Sequence, residues 1–365
     1  MSETKNPKVE AALKLLHKKF GEDSALTFDT ASVKKVDTVS TGSLNLDLAL
    51  GVGGLPLGRI CEIFGPESSG KSTICLHVCA AAQKLGYTCA YLDLEHAFDA
   101  RYAEKLGINL KELIFCQPNS GEEAFQIMEE LLKEKLVNVI IFDSIASART
   151  RAEIEGEVGD SFIGRQAKLM SDGLKKVTPL AFDANCLCLF TNQLRMKIGV
   201  MFGNPETTSG GEAMKYYSSV RMRISRTTAP ITDSKKEAVG NDTKVKVIKN
   251  KVAPPFREAC FQIIYGKGIN STQEVVNLAV KFDYIQKKGG WYYYGEEKMQ
   301  GEASVLNWLS ENPNVKKELE DKVKEKVFSL NEDEQEQITS AEGPNIELDE
   351  EGNAYDATTG EVIEE

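Results

Sequence analysis

The chain has 365 residues, 41% of them apolar and 27% charged, a composition that fits one large globular core with smaller appendages. It contains no run of about eighteen uncharged apolar residues and no apolar stretch behind its N-terminus, so nothing reads as a membrane span or a signal peptide. The net charge of −11 is unevenly placed: residues 331–365 hold thirteen Asp or Glu and no Lys or Arg, which leaves 44 cations against 42 acids, a net of +2, over residues 1–330 and does not exclude a nucleic acid partner.

The eight cysteines lie mostly inside apolar segments, no C-x-x-C occurs, and there are three histidines in all. A zinc site is therefore not expected, and reduced, buried thiols in a cytoplasmic protein are. Residues 7–20 place Val9, Ala12, Leu13, Leu16 and Phe20 on one helical face. This helix, within an N-terminal segment 1–35, packs either on its own core or on a neighbouring subunit. From Ser43 onward strands and helices alternate. Arg59–Phe64, Thr88–Leu94, Asn138–Phe142 and Cys186–Thr191 read as buried strands, and Lys71–Lys84, Gly121–Lys135 and Arg165–Leu180 as helices. Near-continuous apolar strands between helices predict an α/β fold with a mostly parallel central sheet covered on both faces. Val220–Ser225, Lys244–Lys249 and Phe261–Tyr265 alternate more and predict an antiparallel extension, closing a core over 36–268. A helix over Thr272–Lys281, an aromatic strand Trp291–Tyr294 and a helix near Glu302–Leu309 predict a small α+β C-terminal domain, 269–330. The acidic tail, 331–365, is expected to be disordered.

Gly65-Pro66-Glu67-Ser68-Ser69-Gly70-Lys71-Ser72 matches G-x-x-x-x-G-K-[ST] in full, after a buried strand and at the opening of a helix, which is the context of a phosphate-binding loop. Its glycines let backbone N–H groups approach phosphate oxygens, and the helix N-terminus favours an anion. Lys71 would neutralise the β and γ oxygens of ATP, and the Ser72 hydroxyl would face Mg2+. A second metal contact is expected at the end of an apolar strand, where Asp143 stands. Glu95, in Asp93-Leu94-Glu95-His96 at the end of the next strand, is the candidate for orienting or deprotonating water; spacing alone also allows a solvent-facing carboxylate. From Arg195 to Gly210 runs a glycine-rich stretch without periodicity, too long for a simple connector. It carries Arg195 and Lys197 for phosphates and Met196, Ile198, Val200 and Phe202 for insertion between bases, a mixture suited to sequence-independent single-strand binding.

The P-loop marks an NTPase and no more. The wider runs Ser40–Ser43, Gly51–Pro56, Glu153–Ser161, Asn192–Thr208 and Lys249-Asn250-Lys251 closely resemble the bacterial RecA family over residues 36–330. The resemblance implies a RecA-type P-loop NTPase core that binds ATP and Mg2+ and hydrolyses ATP in a DNA-dependent manner. It further implies helical filaments on single-stranded DNA, strand exchange with duplex DNA, promotion of SOS repressor self-cleavage, and a LexA-type repressor and single-strand-binding protein as partners. A P-loop motor ATPase or a filament scaffold without strand exchange is the alternative. On the residues, the resemblance implies nucleotide contacts from Gly65 through Ser72 and from Thr73, and adenine contacts from Asp99, Tyr102 and Tyr265. Lys249 and Lys251 would reach a neighbour's ATP, and Gln193 would sense the γ-phosphate. For DNA it implies Phe162, Ile163, Gly164, Arg165 and Lys168 around a first loop. In a second loop it implies Arg195, Met196, Lys197, Ile198, Gly199, Val200, Phe202, Thr207, Thr208, Gly210 and Gly211. Alone, Asp99, Tyr102 and Tyr265 read equally as packing residues, and Lys-Asn-Lys as a solvated face. Phe162-Ile163, Lys168 and Lys215-Tyr216-Tyr217 depart from the family's usual residues.

Overall fold

The computed structural model describes residues 6–21, 24–25, 36–157, 164–196, 206–232, 235–329, 346–348 and 354–356. They belong to two units that divide between Val36 and Asp37. In the first, α1 (Pro7–Phe20) is capped by the Asn6 side chain, buries none of its residues and leaves Leu15 and Phe20 exposed. The amphipathic pattern gives the helix; its apolar face is not covered by these residues.

The second unit opens with β1 (Thr38–Val39), α2 (Leu44–Ala49) and β2 (Leu55–Pro56), then β3 (Ile60–Gly65) and α3 (Lys71–Lys84). It continues through β4 (Cys89–Asp93), α4 (Ala100–Lys105), β5 (Leu113–Cys116), α5 (Gly121–Lys133), β6 (Val139–Asp143), α6 (Arg151–Glu155) and α7 (Arg165–Asp183). Next come β7 (Leu187–Met196), β8 (Glu206–Thr208), α8 (Ala213–Tyr217), β9 (Val220–Thr232), β10 (Ala238–Asn250), β11 (Glu258–Ile264) and β12 (Gly268–Ile269). The C-terminal part holds α9 (Ser271–Lys281), β13 (Gln286–Lys288), β14 (Trp291–Tyr294), β15 (Glu297–Gln300), α10 (Glu302–Glu311) and α11 (Pro313–Ser329). Two short strands, β16 (Ile346–Leu348) and β17 (Ala354–Asp356), pair antiparallel within the acidic tail, whose other residues lie outside the described ones.

The main sheet runs β12-β11-β10-β9-β3-β7-β6-β4-β5, with β8 on the end of β7. It is parallel from β5 to β9 and antiparallel from β9 to β12. Every residue of β3, β4 and β6 is buried, because both faces are covered. One face packs α3, with Ile74, Val78 and Cys79 against Cys61, Ile63 and Tyr91. The other packs α5 and α7, with a Phe125–Phe142–Phe190 stack, and α7 comes close because Gly173 lies against the Phe125 ring. Six cysteines are buried and Cys116 and Cys260 half-buried, all of them free thiols.

A third cluster joins α9, α10 and α11 to Leu44 and Leu48 of α2. Glu274 of α9 is buried there and caps α2, accepting from Ser43 Oγ (2.6 Å), Asn45 N (3.0 Å) and Leu44 N (3.3 Å). The structure departs from the sequence reading in several elements, among them β5, α4, α11 and β7. Edge strand β5 was not expected: its apolar run Leu113–Cys116 is only four residues long, and of these only Leu113 is buried. Helix α4 is one turn and a half, too short to show periodicity, and α11 shows only Leu319, Val323 and Val327 as a buried stripe. Strand β7 does not stop at Thr191 but continues to Met196, for a reason that belongs to the site.

Candidate nucleotide and nucleic-acid site

Parallel strands place their C-terminal ends on one edge, and ligands bind outside that edge. Gly65, Asp93, Asp143 and Gln193 end or approach the end of β3, β4, β6 and β7, with Gly65 opposite Gln193 and Asp93 opposite Asp143 in register. Above them lies a cleft of about 870 Å³ lined by Glu67 through Thr73, Glu95, Asp99, Tyr102, Asp143, Gln193 and Tyr265.

The loop from Gly65 enters α3 through Ser68 (φ +55°) and Gly70 (φ +97°), both left-handed, and Ser69 Oγ ties the turn to Pro66 O at 2.8 Å. Both glycines of the loop serve packing, and Gly70 serves conformation as well. A Cβ on Gly65 would lie 2.1 Å from the Ile224 carbonyl oxygen of β9, and one on Gly70 would lie 2.4 Å from Ile263 Cδ1. Lys71 donates to the carbonyls of Pro66 (2.7 Å) and Gly65 (3.2 Å). Burial lowers the proton affinity of its ammonium, and the carboxylates of Asp143 and Glu95 pull it back up. Ser72 is exposed to the cleft.

Asp143 is buried and accepts one hydrogen bond on each oxygen, from Tyr91 Oη and from Thr191 Oγ1, both at 2.5 Å. With the carboxylate beside it, burial drives the Tyr91 hydroxyl well above the ordinary tyrosine range, so Tyr91 stays a donor. The next peptide, Asp143–Ser144, is cis, and Ser144 Oγ donates to Glu95 Oε1. Glu95 is itself exposed. His96 is exposed at φ +54°. Tyr102 lies 3.4 Å from Thr73 Oγ1 through its hydroxyl, and Asp99 caps α4 through the Tyr102 N–H (3.0 Å). The cleft also takes Arg101, Lys105, Asn241 and Thr243, which the sequence reading missed. Arg101 and Lys105 share one face of α4, a helix too short to be seen in the sequence.

Among the described residues no group of three His, Cys, Asp or Glu is placed to hold a metal. Mg2+ keeps waters and takes phosphate oxygens with one or two protein ligands. Asp143 retains lone pairs beyond its two bonds, and Ser72 offers a hydroxyl at the mouth, so this donor set fits the ion.

The second loop is shorter than the sequence implied. Its ends zip into a ladder, Leu194 with Thr208, Arg195 with Thr207 and Met196 with Glu206, which is why β7 outruns the core. Arg223 of β9 clamps Glu206 with two contacts of 2.7 and 3.0 Å. Arg195 is exposed and its Nε reaches Ser209 Oγ at 3.4 Å; the buried Thr208 Oγ1 lacks a hydrogen-bond partner among the described residues. The return passes through Gly210 (φ +80°), packed against Ile145, and Gly211 (φ +74°), packed against Ala167 of α7. Gly164 (φ +78°) opens α7, and Arg165 and Lys168 line a separate groove of about 450 Å³ between α5 and α7. Phe162, Ile163, Lys197, Ile198, Gly199, Val200 and Phe202 lie outside the described residues, as does the Met196 side chain.

Lys249 and Lys251 do not line the cleft of their own chain. Lys249 sits cross-strand from Arg221 and donates to the carbonyls of Lys215 and Tyr216; burial lowers its ammonium, and Lys251 and Arg221 push the same way. Beside it Tyr216 is 74% exposed.

Against known proteins, the profile of the RecA N-terminal domain matches residues 7–270, and that of the RecA C-terminal domain residues 273–328. A Protein RecA of Ectopseudomonas oleovorans is 50% identical over 330 residues, covering 90% of this chain and 94% of the relative. A Protein RecA of Acinetobacter baumannii strain ATCC 17978 is 48% identical over 352 residues, covering 96% of this chain and all of the relative. That of Acinetobacter baumannii strain AYE matches to the same extent. No helix among the described residues is long and apolar enough to cross a membrane.

Proposed function

The chain belongs to the RecA family, a nucleotide- and DNA-binding, filament-forming recombinase with DNA-dependent ATPase activity, and we propose how its own residues divide that work. The observation that carries the reading is the shared edge: phosphate loop, Glu95, Asp143 and Gln193 line one cleft, and Gln193 stands three residues before the DNA-loop ladder ends.

Glu67 through Thr73 wrap the phosphates of ATP, with Gly65 and Pro66 setting the loop's entry. Lys71 leaves its two carbonyl partners for the β and γ oxygens, where a cation counts for more than in water. Ser72 and Asp143 would hold Mg2+, with the Asp143 carboxylate oriented by Tyr91 and Thr191. When bound, the ion supplies charge neutralisation at the phosphate oxygens. Glu95, steadied by Ser144, orients the attacking water and takes its proton. Asp99, Tyr102 and Tyr265 flank the adenine. Lys249 and Lys251, facing away from this cleft, serve the ATP of the adjoining subunit.

Arg195, Thr207, Thr208, Gly210 and Gly211 contact the backbone of single-stranded DNA, with Met196, Lys197, Ile198, Gly199, Val200 and Phe202 completing the loop. Gly164, Arg165 and Lys168 continue the track, with Phe162 and Ile163 at its tip. Gln193 reports the γ-phosphate to that loop, so that ATP raises DNA affinity. We assign the protein to the cytoplasm, with a LexA-type repressor and single-strand-binding protein as further partners. Lys71→Ala tests the arrangement: it should abolish both ATP hydrolysis and ATP-stimulated DNA binding, and normal turnover in that variant would remove the phosphate-loop assignment.

A further inference from the structure

Glu62 lies in the middle of β3, wholly buried among Cys61, Ile63 and Phe64. Both of its oxygens are engaged. Oε2 accepts from Arg221 Nε of β9 at 2.5 Å, and Oε1 accepts from Asn192 Nδ2 of β7 at 3.0 Å. The Arg221 guanidinium also rests over the Phe64 ring, 4.8 Å from its centroid. Asn192 is used completely: Nδ2 donates a second bond to the Ser209 carbonyl at 3.0 Å, and Oδ1 accepts the Gln193 N–H at 2.9 Å.

This chain of bonds has a direction. A carboxylate can only accept, so Glu62 forces the Asn192 amide to present its NH2 inward and its oxygen toward Gln193. The two hydrogens then hold Ser209, where the second loop returns, and Glu62 at once. Strand burial does not call for a charge at this position. A buried ion pair stabilises no better than apolar residues of the same volume, whereas removing one partner is costly. A carboxylate kept inside an all-buried strand, with each oxygen committed to a different neighbouring strand, serves orientation.

We infer that Glu62 is a positioning residue for nucleotide-dependent DNA binding: through Asn192 it fixes the backbone of Gln193 and the return of the second loop at Ser209 as one unit. Arg221 anchors the carboxylate from the opposite side. Movement of Ser209 when the loop engages DNA is thereby transmitted to the Gln193 backbone at the cleft, and the reverse. The inference rests on the assignment of Gln193 and the second loop made above.

The test uses the full-length protein and a fluorescent single-stranded oligonucleotide, with affinity measured in a non-hydrolysable ATP analogue and in ADP. In Glu62→Gln the inward amide hydrogen is no longer demanded, and Asn192 is free to turn over. The ratio of the two affinities should fall about fivefold or more, while affinity for the ATP analogue without DNA stays within about twofold of wild type. Asn192→Ala leaves the Glu62–Arg221 pair in place and should lose the ratio equally, so it decides the matter if Glu62→Gln does not fold. A wild-type ratio in either folded variant overturns the inference, as does an equal fall of both affinities, which is what a purely structural role would give. Gln193→Ala separates the two levels. Loss of the ratio there with Glu62→Gln unchanged sinks this inference alone, and an unchanged ratio in Gln193→Ala sinks the γ-phosphate switch itself.

Discussion

Gly65→Ala should cost stability before it costs nucleotide contacts. The added Cβ would stand 2.1 Å from Ile224 O, 2.7 Å from Ile224 Cγ2 and 3.1 Å from the Ile224 carbonyl carbon. Gly65 does not have a positive φ, so the penalty is one of space and not of backbone conformation. Two of the three atoms are main chain of β9, which is hydrogen-bonded to β10 along its other edge and cannot step aside as a rotamer would. Bringing a 2.1 Å approach to an ordinary contact requires β3 and β9 to part by about 1 Å at the root of the phosphate loop. Overpacking of this kind costs about 1–3 kcal/mol, and contact with main chain puts this position near the top of that range. About 3 kcal/mol is a large share of the roughly 5–15 kcal/mol that holds a typical domain folded. Urea unfolding of the nucleotide-free protein measures it, provided the slope m is unchanged. Gly86→Ala is the companion: it meets nothing within 4 Å at φ +78°, and should cost only the left-handed penalty of about 1–2 kcal/mol. A Gly65→Ala protein with the wild-type urea midpoint and weakened ATP binding would show that this glycine admits phosphate and not a strand.

Glu95→Gln should bind ATP with wild-type affinity and hydrolyse it at least about a hundredfold more slowly, leaving long-lived filaments; wild-type turnover would place the base elsewhere. Removing residues 331–365 takes away thirteen carboxylates and no cation, so duplex affinity at low salt should rise, and the gain should shrink as salt screens it. Equal affinity with and without the tail would leave it a role in solubility alone. Burial pushes the Glu274 carboxyl up to about 8 against the pull of its three donors, so the folded state holds a proton that the unfolded chain releases near 4.5. Stability from this group is full below 4.5 and is lost as pH rises through 8. Between pH 6.5 and 8 that amounts to about 2 kcal/mol, a window that avoids the opposing protonation of His77, lowered by burial to about 4. Urea midpoints at the two pH values should show the slope in wild type and not in Glu274→Gln; a slope retained in the variant assigns it to another group.

The convergence of the phosphate loop, Glu95, Asp143 and Gln193 on one cleft was legible because its signals are local. A glycine-framed loop between a buried strand and a helix fixes its own surroundings, and apolar runs ending in Asp143 and Gln193 identify strands whose ends must converge. Arg101, Lys105, Asn241 and Thr243 reach the same cleft from α4 and β10, and only the closed sheet brings them there. The stretch proposed for DNA was misjudged in shape. Arg195 to Gly210 shows no alternation, yet Arg195 and Met196 pair with Thr207 and Glu206 across the loop, a contact between positions about a dozen residues apart that no local period records. The polar chain Arg221–Glu62–Asn192–Ser209 was invisible for a similar reason: each member sits in a different segment, and Glu62 reads in the sequence as a blemish in an apolar strand.

Strand β7 sets a limit on anyone seeking to retune this protein. It is hydrogen-bonded to β3 up to Gly65 and, within three further residues, to β8, which closes the second loop. On the proposed assignment, fuel and track are gripped by a single stiff bar. A substitution along it will alter the appetite for ATP and the hold on DNA together, and selection for one will drag the other with it. Independent adjustment has to be sought off the bar, on the outward face of α7 where Arg165 and Lys168 stand over a groove of their own. There the grip on a polyanion could be strengthened residue by residue while the turnover clock keeps its rate.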